Sequence, residues 1–363
     1  MLAIPPNFVT NTSVLAQTYH FIASTRNFYE LDTGNEKEIR DLPSALTILN
    51  INSCPGELAI YVHGVWATEE EAREQTERAF LSLRNSGYNN IFYLIGFSWD
   101  SDTVFSLDDM SISQRGWTIA KNIANENGPL LAQFIDNFKQ ECREDNLRII
   151  AHSLGARVVL SAIQSLYVND DDISPESRSI TSVHLLGPAV NDEQVSLEEQ
   201  QCRINTPPLQ CSGDAIYSQV EHFYNLYNPQ DNLLAPEEIS WSYWGIEHSI
   251  IYRSAYQITE GGDPLGADRI LGSINVPANY QEYNVLPYIS DDNDADKDEE
   301  CDIRINWRTY FPFILPDIYY CTITKPGDNH LGYMGYRSEI NPHDVKDSGA
   351  IELVARQWES ENN

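Results

Sequence analysis

LRIIAHSLGARVVLSAI, residues Leu147–Ile163, starts as a short apolar run of strand length and ends with apolar residues at helical spacing. At the junction stand Ala151-His152-Ser153-Leu154-Gly155. A tight strand-to-helix turn of the form small-x-Ser-x-Gly lifts its serine above the C-terminal edge of a sheet, where a substrate can reach the hydroxyl. Small residues are demanded on either side because a larger side chain would collide where the helix crosses the strand. Ser153 also just precedes a helix N-terminus, whose free N–H groups and dipole favour developing negative charge. The backbone N–H of Leu154 is then half of an oxyanion hole. The same five residues would equally suit an ordinary helix N-cap at Ser153, so the surroundings have to decide.

Working outward, ELAIYVHG (Glu57–Gly64) reads as a mostly apolar strand with a polar exit. Thr68 and Glu71 then form a capping-box pattern, and Gly87 stops the helix they open. NNIFYLIGFSW (Asn89–Trp99) is a second buried strand. A helical stretch follows from about Ser113 to Arg143, with an expected interruption near Gly128. Leu147–Ala151 and Leu154–Val168 supply the third strand and its helix. ITSVHLLG (Ile180–Gly187) and EHFYNLYN (Glu221–Asn228) read as further strands, IYYCTIT (Ile318–Thr324) as the last, and SGAIELVARQW (Ser348–Trp358) as a closing helix. Such β-α alternation argues for an α/β fold with a mostly parallel central sheet covered by helices on both faces. We read one domain over residues 1–363, with 188–220 as a cap or lid segment and 232–316 as an irregular insertion.

The strand ending in His63-Gly64-Val65-Trp66 would place a loop beside the serine turn and supply the second oxyanion donor, from the backbone N–H of Val65 or Trp66. With these motifs in order from about residue 58 to 163, the chain resembles the α/β-hydrolase superfamily, and within it a group with an AHS[LM]G elbow and an FVHG-like oxyanion strand. The resemblance implies a serine hydrolase acting on esters, thioesters or amides.

A serine hydroxyl needs a base to take its proton and an acid to orient that base. The superfamily order is nucleophile, acid, histidine. FYNLYNPQDNLLA places Asp231 in the loop after a strand, although Pro229-Gln230-Asp231-Asn232 would also suit a plain turn. Asp192 is its competitor. Among eight histidines, His20, His63, His152, His184 and His222 precede the acid or lie in strands, and the side chain of His152 is expected to point away from Ser153. His330, in the glycine-rich KPGDNHLGYMGYR, holds the position the resemblance assigns to the base, with His343 and His248 as alternatives. The expected reaction is carboxylic ester hydrolysis through an acyl-enzyme on Ser153, with a small-molecule ester or lipid-like substrate and no metal or organic cofactor. Acyl transfer, amide hydrolysis or a non-catalytic binding role on the same fold are the alternatives.

Composition narrows the partners. With 54 Asp and Glu against 23 Lys and Arg, the net charge is −31, which repels nucleic acid and anionic membranes. So lopsided a charge hints at a saline host whose cations would screen the repulsion. No apolar run reaches the length of a membrane span, and the first residues lack the pattern of a signal peptide, which favours a cytoplasmic location. The six cysteines show no metal-ligand spacing. Cys202 with Cys211, and Cys301 with Cys321, could close short loops as disulfides, or all six could be buried thiols. The run DDNDADKDEE (Asp291–Glu300) spaces its acids like a calcium loop but has Lys297 and Ile303 where glycine and glutamate belong, so it reads as a solvated loop. The aromatics Trp241, Tyr243, Trp244, Tyr252 and Tyr256 would either line an acyl pocket or form the core of the insertion.

Overall fold

A computed structural model of the chain describes residues 21–88, 90, 92–104, 110–169, 180–199, 202, 211–231, 233–235, 237–243, 246–252, 263–267, 269–270, 274–289, 305–310, 313–318, 330–337 and 345–362. The acidic run 291–300, His20, Trp244, Tyr256, Cys301, Cys321 and His343 lie outside them. So does the expected last strand beyond Ile318.

In chain order the elements are β1 (Phe21–Ser24), α1 (Ala45–Leu49), β2 (Glu57–Val62), α2 (Glu69–Asn85), β3 (Tyr93–Ser98), α3 (Met110–Glu141), β4 (Asn146–His152), α4 (Gly155–Asn169), β5 (Ile180–Leu186) and, after a short helix (Gly213–Gln219), β6 (Val220–Tyr227). An antiparallel hairpin of β7 (Glu237–Tyr243) and β8 (Ile246–Tyr252) follows, then β9 (Tyr280–Asn284). Two further hairpin pairs and a C-terminal helix (Ile351–Glu361) complete the described chain.

Seven strands form one sheet in the order β1-β3-β2-β4-β5-β6-β9, and every neighbouring pair is parallel. Two of these strands, β1 and β9, carried no signal in the sequence reading. The strand β9 arises within the stretch 232–316 and extends the sheet beyond β6.

The alternation of side chains along each strand divides the core in two. Leu58, Ile60 and Val62 of β2 pack on one face with α3 and α4, through Ile123, Phe134, Val158 and Val159. Ala59 and Tyr61 point to the other face, where Phe80 and Leu83 of α2 meet Val354 and Trp358 of the C-terminal helix. Both faces are dry, which is why β2 and β4 read as nearly continuous apolar runs.

Helix α3 corrects the sequence reading, because it runs unbroken through Gly128 and Pro129. A proline leaves the carbonyl four residues earlier without its helical donor. Here that carbonyl belongs to Asn125, and the hydroxyl of Ser161 on α4 donates to it at 2.8 Å. Gly128 lets the two helices come that close: a Cβ there would stand 2.2 Å from Ser161 Oγ and 2.3 Å from its Cβ.

Arg148, inside β4, is fully buried. It donates to Glu57 of β2 at 2.7 Å, to Glu361 and Asn362 at the chain's C-terminal end, and lies 5.2 Å from the ring centre of Trp358. A buried charge is tolerated only when paired in this way, and the pairing ties the last helix to the sheet. Two disulfides are present among the described residues, Cys202–Cys211 and Cys54–Cys142. The second joins the approach to β2 to the residue just beyond α3. Among the described residues no helix is long and apolar enough to cross a membrane.

Candidate active site

At the end of β4 the chain turns through Ser153 with φ of 55°. A side chain in this left-handed region costs about 1 kcal/mol or more, so the conformation must be held from outside. The Ser153 N–H donates to Leu186 O at 3.0 Å and the Ser153 carbonyl accepts from Ala189 N–H at 3.1 Å, so β5 and the residues after it clamp the turn. Helix α4 begins at Gly155, where a Cβ would lie 2.5 Å from the carbonyl oxygen of Val62 and 2.6 Å from that of His63. That steric demand is the one the elbow motif predicts.

The loop after β2 lies against the serine. A Cβ on Gly64 would stand 2.8 Å from Ser153 Cβ and 3.3 Å from its Oγ. Trp66 in this loop is also left-handed, with φ of 56°, and its N–H donates to Ser101 O at 2.9 Å. Of the two alternative donors the sequence offers, Val65 or Trp66, the Trp66 N–H is engaged in that bond. The N–H groups of Val65 and Leu154 take part in no backbone hydrogen bond among the described residues.

His63 stiffens the same loop. Its Nε2 accepts from the Trp99 N–H at 3.1 Å, so the proton sits on Nδ1, which donates to Gly64 O at 2.8 Å. Burial, with the neighbouring Arg26 charge, pushes its pKa down to about 3, so the ring is neutral.

Asp231 follows β6 in a turn closed by its own N–H on Asn228 O at 3.1 Å. Turn residue and candidate acid are therefore one and the same. Its carboxylate is fully buried. Oδ1 accepts the N–H groups of Leu233 and Leu234, each at 3.0 Å, and Oδ2 accepts from His330 Nδ1 at 2.6 Å and from the Tyr333 hydroxyl at 3.2 Å. With Nδ1 donating, His330 Nε2 carries a lone pair. That nitrogen and Ser153 Oγ are both buried, and neither has a hydrogen-bond partner among the described residues. The structure thus joins Asp231 to His330 directly and leaves Ser153 Oγ and His330 Nε2 as two open polar atoms.

The competitor Asp192 sits elsewhere, in a one-turn helix (Asp192–Val195) beside the carboxylates of Glu193 and Asp263. Burial and those two neighbours push its pKa up to about 8. His248 is on β8, opposite Trp241 in the register of the hairpin.

Two residues of the site escaped the sequence reading. Tyr333 is the second side-chain donor to Asp231, three residues after His330, and its ring closes on Gly187, where a Cβ would meet it at 2.8 Å. His152, expected to point away from the serine, has its ring centre 4.8 Å from that of His330 and its Nε2 on the His330 carbonyl at 2.8 Å. A glycine-rich loop and an elbow histidine are weak signals, and neither reveals such contacts by itself.

A left-handed serine between a parallel strand and a helix in a mostly parallel, helix-covered sheet, with Asp231 and His330 hydrogen-bonded to each other on later loops, is the arrangement of the alpha/beta-hydrolase class. The family described as "Alpha/beta hydrolase of unknown function (DUF900)" matches residues 48–237, just over half of the 363 residues, and the chain belongs to it. No curated protein matches the chain. Among solved structures, the catalytic core domain of acetyl xylan esterase from Trichoderma reesei is similar over 39% of this chain and 68% of its own, at 12% identity and a TM-score of 0.28. A Trichoderma reesei cutinase is similar over 47% of this chain and 78% of its own, at 15% identity and a TM-score of 0.27. Phospholipase PlaB from Legionella pneumophila is similar over 55% of this chain and 49% of its own, at 11% identity and a TM-score of 0.25.

Proposed function

We propose that the chain is a serine hydrolase that cleaves carboxylic esters through an acyl-enzyme on Ser153, with His330 as base and Asp231 as its orienting acid. The observation that supports this reading most is the 2.6 Å hydrogen bond from His330 Nδ1 to Asp231, which fixes the tautomer with a bare Nε2, while Ser153 Oγ stands unpartnered on a strained turn. Hydrogen bonds between nucleophile and base are often loose before substrate arrives. Strain of this kind persists where the surrounding structure over-determines it, a recurrent feature of active sites.

His330 Nε2 takes the proton of Ser153 as Oγ attacks the ester carbonyl. Asp231 stabilises the imidazolium that forms. The N–H groups of Leu154 and Val65 receive the negative charge on the carbonyl oxygen. His330 then protonates the leaving alkoxide, which departs as the alcohol. Water, deprotonated by His330, attacks the acyl-enzyme and releases the acid. Every step is proton transfer and acyl transfer, so the site asks for no metal or organic cofactor. A net charge of −31 favours uncharged or lipid-like esters over anionic ones.

The test is turnover of p-nitrophenyl esters of graded chain length by the wild type and by Ser153→Ala. The expected outcome is hydrolysis by the wild type that falls by about 10⁴-fold or more in the variant. Equal activity in the two proteins would overturn the assignment of Ser153. Absence of turnover at every chain length would overturn ester hydrolysis as the activity.

A further inference from the structure

We propose that His152 is a positioning residue for His330, holding the backbone of the histidine loop in place from the end of the central strand. The proposal rests on reading Ser153, Asp231 and His330 as a triad. His152 closes β4, whose neighbours β2 and β5 flank it on both sides. Its own backbone is therefore among the most firmly held in the fold. His330 lies in a loop, followed by a single short turn of helix (Gly332–Met334).

Two hydrogen bonds reach His330 from opposite ends. Asp231 holds the ring at Nδ1, 2.6 Å away, and His152 Nε2 holds the main-chain carbonyl at 2.8 Å. A ring anchored at one atom can still pivot with its backbone. Fixing the carbonyl as well sets the direction in which Nε2 points. Displacing a catalytic group by about 1 Å can lower the rate on the order of 100-fold, so control of that direction is a matter of rate.

The protonation state of His152 suits the task. A carbonyl oxygen can only accept, so Nε2 carries the hydrogen and Nδ1 is bare. Nδ1 is buried without a partner among the described residues, on the side of the oxyanion loop, where a Cβ on Gly64 would lie 3.3 Å from it. The groups that face the ring are His330, His63, Arg78 and Tyr333. Burial first, and the proximity of other groups that can carry positive charge after it, push the pKa of His152 down to about 3. A neutral ring 4.8 Å from His330 lets the imidazolium form there, whereas a cationic one would repel it.

The experiment compares His152→Phe, which keeps a ring and loses the donor, with His152→Gln, which keeps a neutral donor. Each is assayed with p-nitrophenyl butyrate over a pH range, and the His330 Nδ1 proton is followed as a downfield NMR resonance, with Asp231→Asn as the assignment control. We expect kcat to fall about 10- to 100-fold in the Phe variant with KM little changed, and to return to within about threefold of wild type in the Gln variant. The downfield proton is expected in the wild type and the Gln variant and lost in the Phe variant. Should the Phe variant fail to fold, His152→Met, also without a donor, takes its place under the same criteria. A donorless variant with wild-type kcat and an unchanged resonance would overturn the proposal, as would a Gln variant impaired as badly as Phe. If the wild type shows no Ser153-dependent turnover, the hydrolase reading fails, while the resonance still decides whether His152 orders His330.

Discussion

Gly64 and Ser153 approach so closely that no side chain fits between them: a methyl group on Gly64 would stand 2.8 Å from the serine Cβ. Real carbon atoms do not come that near, so Gly64→Ala must displace either the loop after β2 or the turn at Ser153. We expect kcat/KM for p-nitrophenyl esters to fall by about 100-fold or more. Stability should fall by about 1–3 kcal/mol, the usual range for overpacking. Wild-type turnover in this variant, measured beside a thermal melt, would show that the loop plays no part in catalysis.

Asp231 accepts four hydrogen bonds, two from backbone N–H groups, one from His330 and one from Tyr333. Asp231→Asn keeps the shape but presents an amide that can donate to His330 Nδ1 and so favours the wrong tautomer. The expected loss in kcat is about 10⁴-fold. Tyr333→Phe removes only one donor at 3.2 Å and should lower kcat by about tenfold or less. If the two variants lost activity equally, Tyr333 would be acting as more than a support for the acid.

The pH dependence of stability carries two opposing contributions. His63 and His152 have folded pKa values of about 3, below the ordinary histidine value of 6.5, so the unfolded chain binds more protons between those limits. Their contribution to stability therefore rises as the pH climbs from about 3 to 6.5. Asp192 has the opposite sign. Its folded pKa of about 8 lies above the ordinary 3.8, so its contribution is present below pH 4 and is lost as the pH rises toward 8. Asp192→Asn removes that slope. Urea midpoints for the variant and the wild type should coincide near pH 4, with the variant the more stable at pH 8.5. Parallel curves would show that Asp192 ionises normally.

The Cys54–Cys142 bridge closes a separation of 88 residues and Cys202–Cys211 one of 9. By loop-closure entropy, losing the first should cost about 4–5 kcal/mol and losing the second about 2.5 kcal/mol, as upper values. Cys54→Ser with Cys142→Ala and the corresponding pair at 202 and 211 test this by urea unfolding without reductant. A larger loss from the short loop would mean that native contacts, not chain entropy, dominate. Cross-links of this kind persist in oxidising surroundings.

Much of the fold was legible because its causes are local. The capping box of Thr68 and Glu71 is formed as the spacing predicts, with both reciprocal hydrogen bonds in place. The strand-helix pairs from β2 to β6 lie close to where their apolar runs place them. The misreadings have long-range causes. The stretch near Gly128 reads as an interruption, but the helix runs on through Pro129, and Ser161 on a different helix donates to the carbonyl the proline orphans. β1 is four residues long and β9 sits among polar turns, so neither shows a clear period of two until it pairs with β3 and β6.

The site divides along the same line. A glycine at 155 and a small residue at 151 are demanded by the crossing of one strand and one helix adjacent in the chain, and so the elbow is written in five consecutive residues. Everything that depends on which loops meet required the tertiary structure: that Asp231 and His330, 99 residues apart, lie in hydrogen-bond contact, that the Trp66 N–H is engaged by Ser101 while that of Val65 is not, that Cys54 finds Cys142, and that His152 reaches the His330 carbonyl. Local sequence sets backbone turns and periodicity because those interactions span a few residues. Partner choice among distant polar groups is set by how the sheet edge gathers its loops, and no spacing along the chain encodes it.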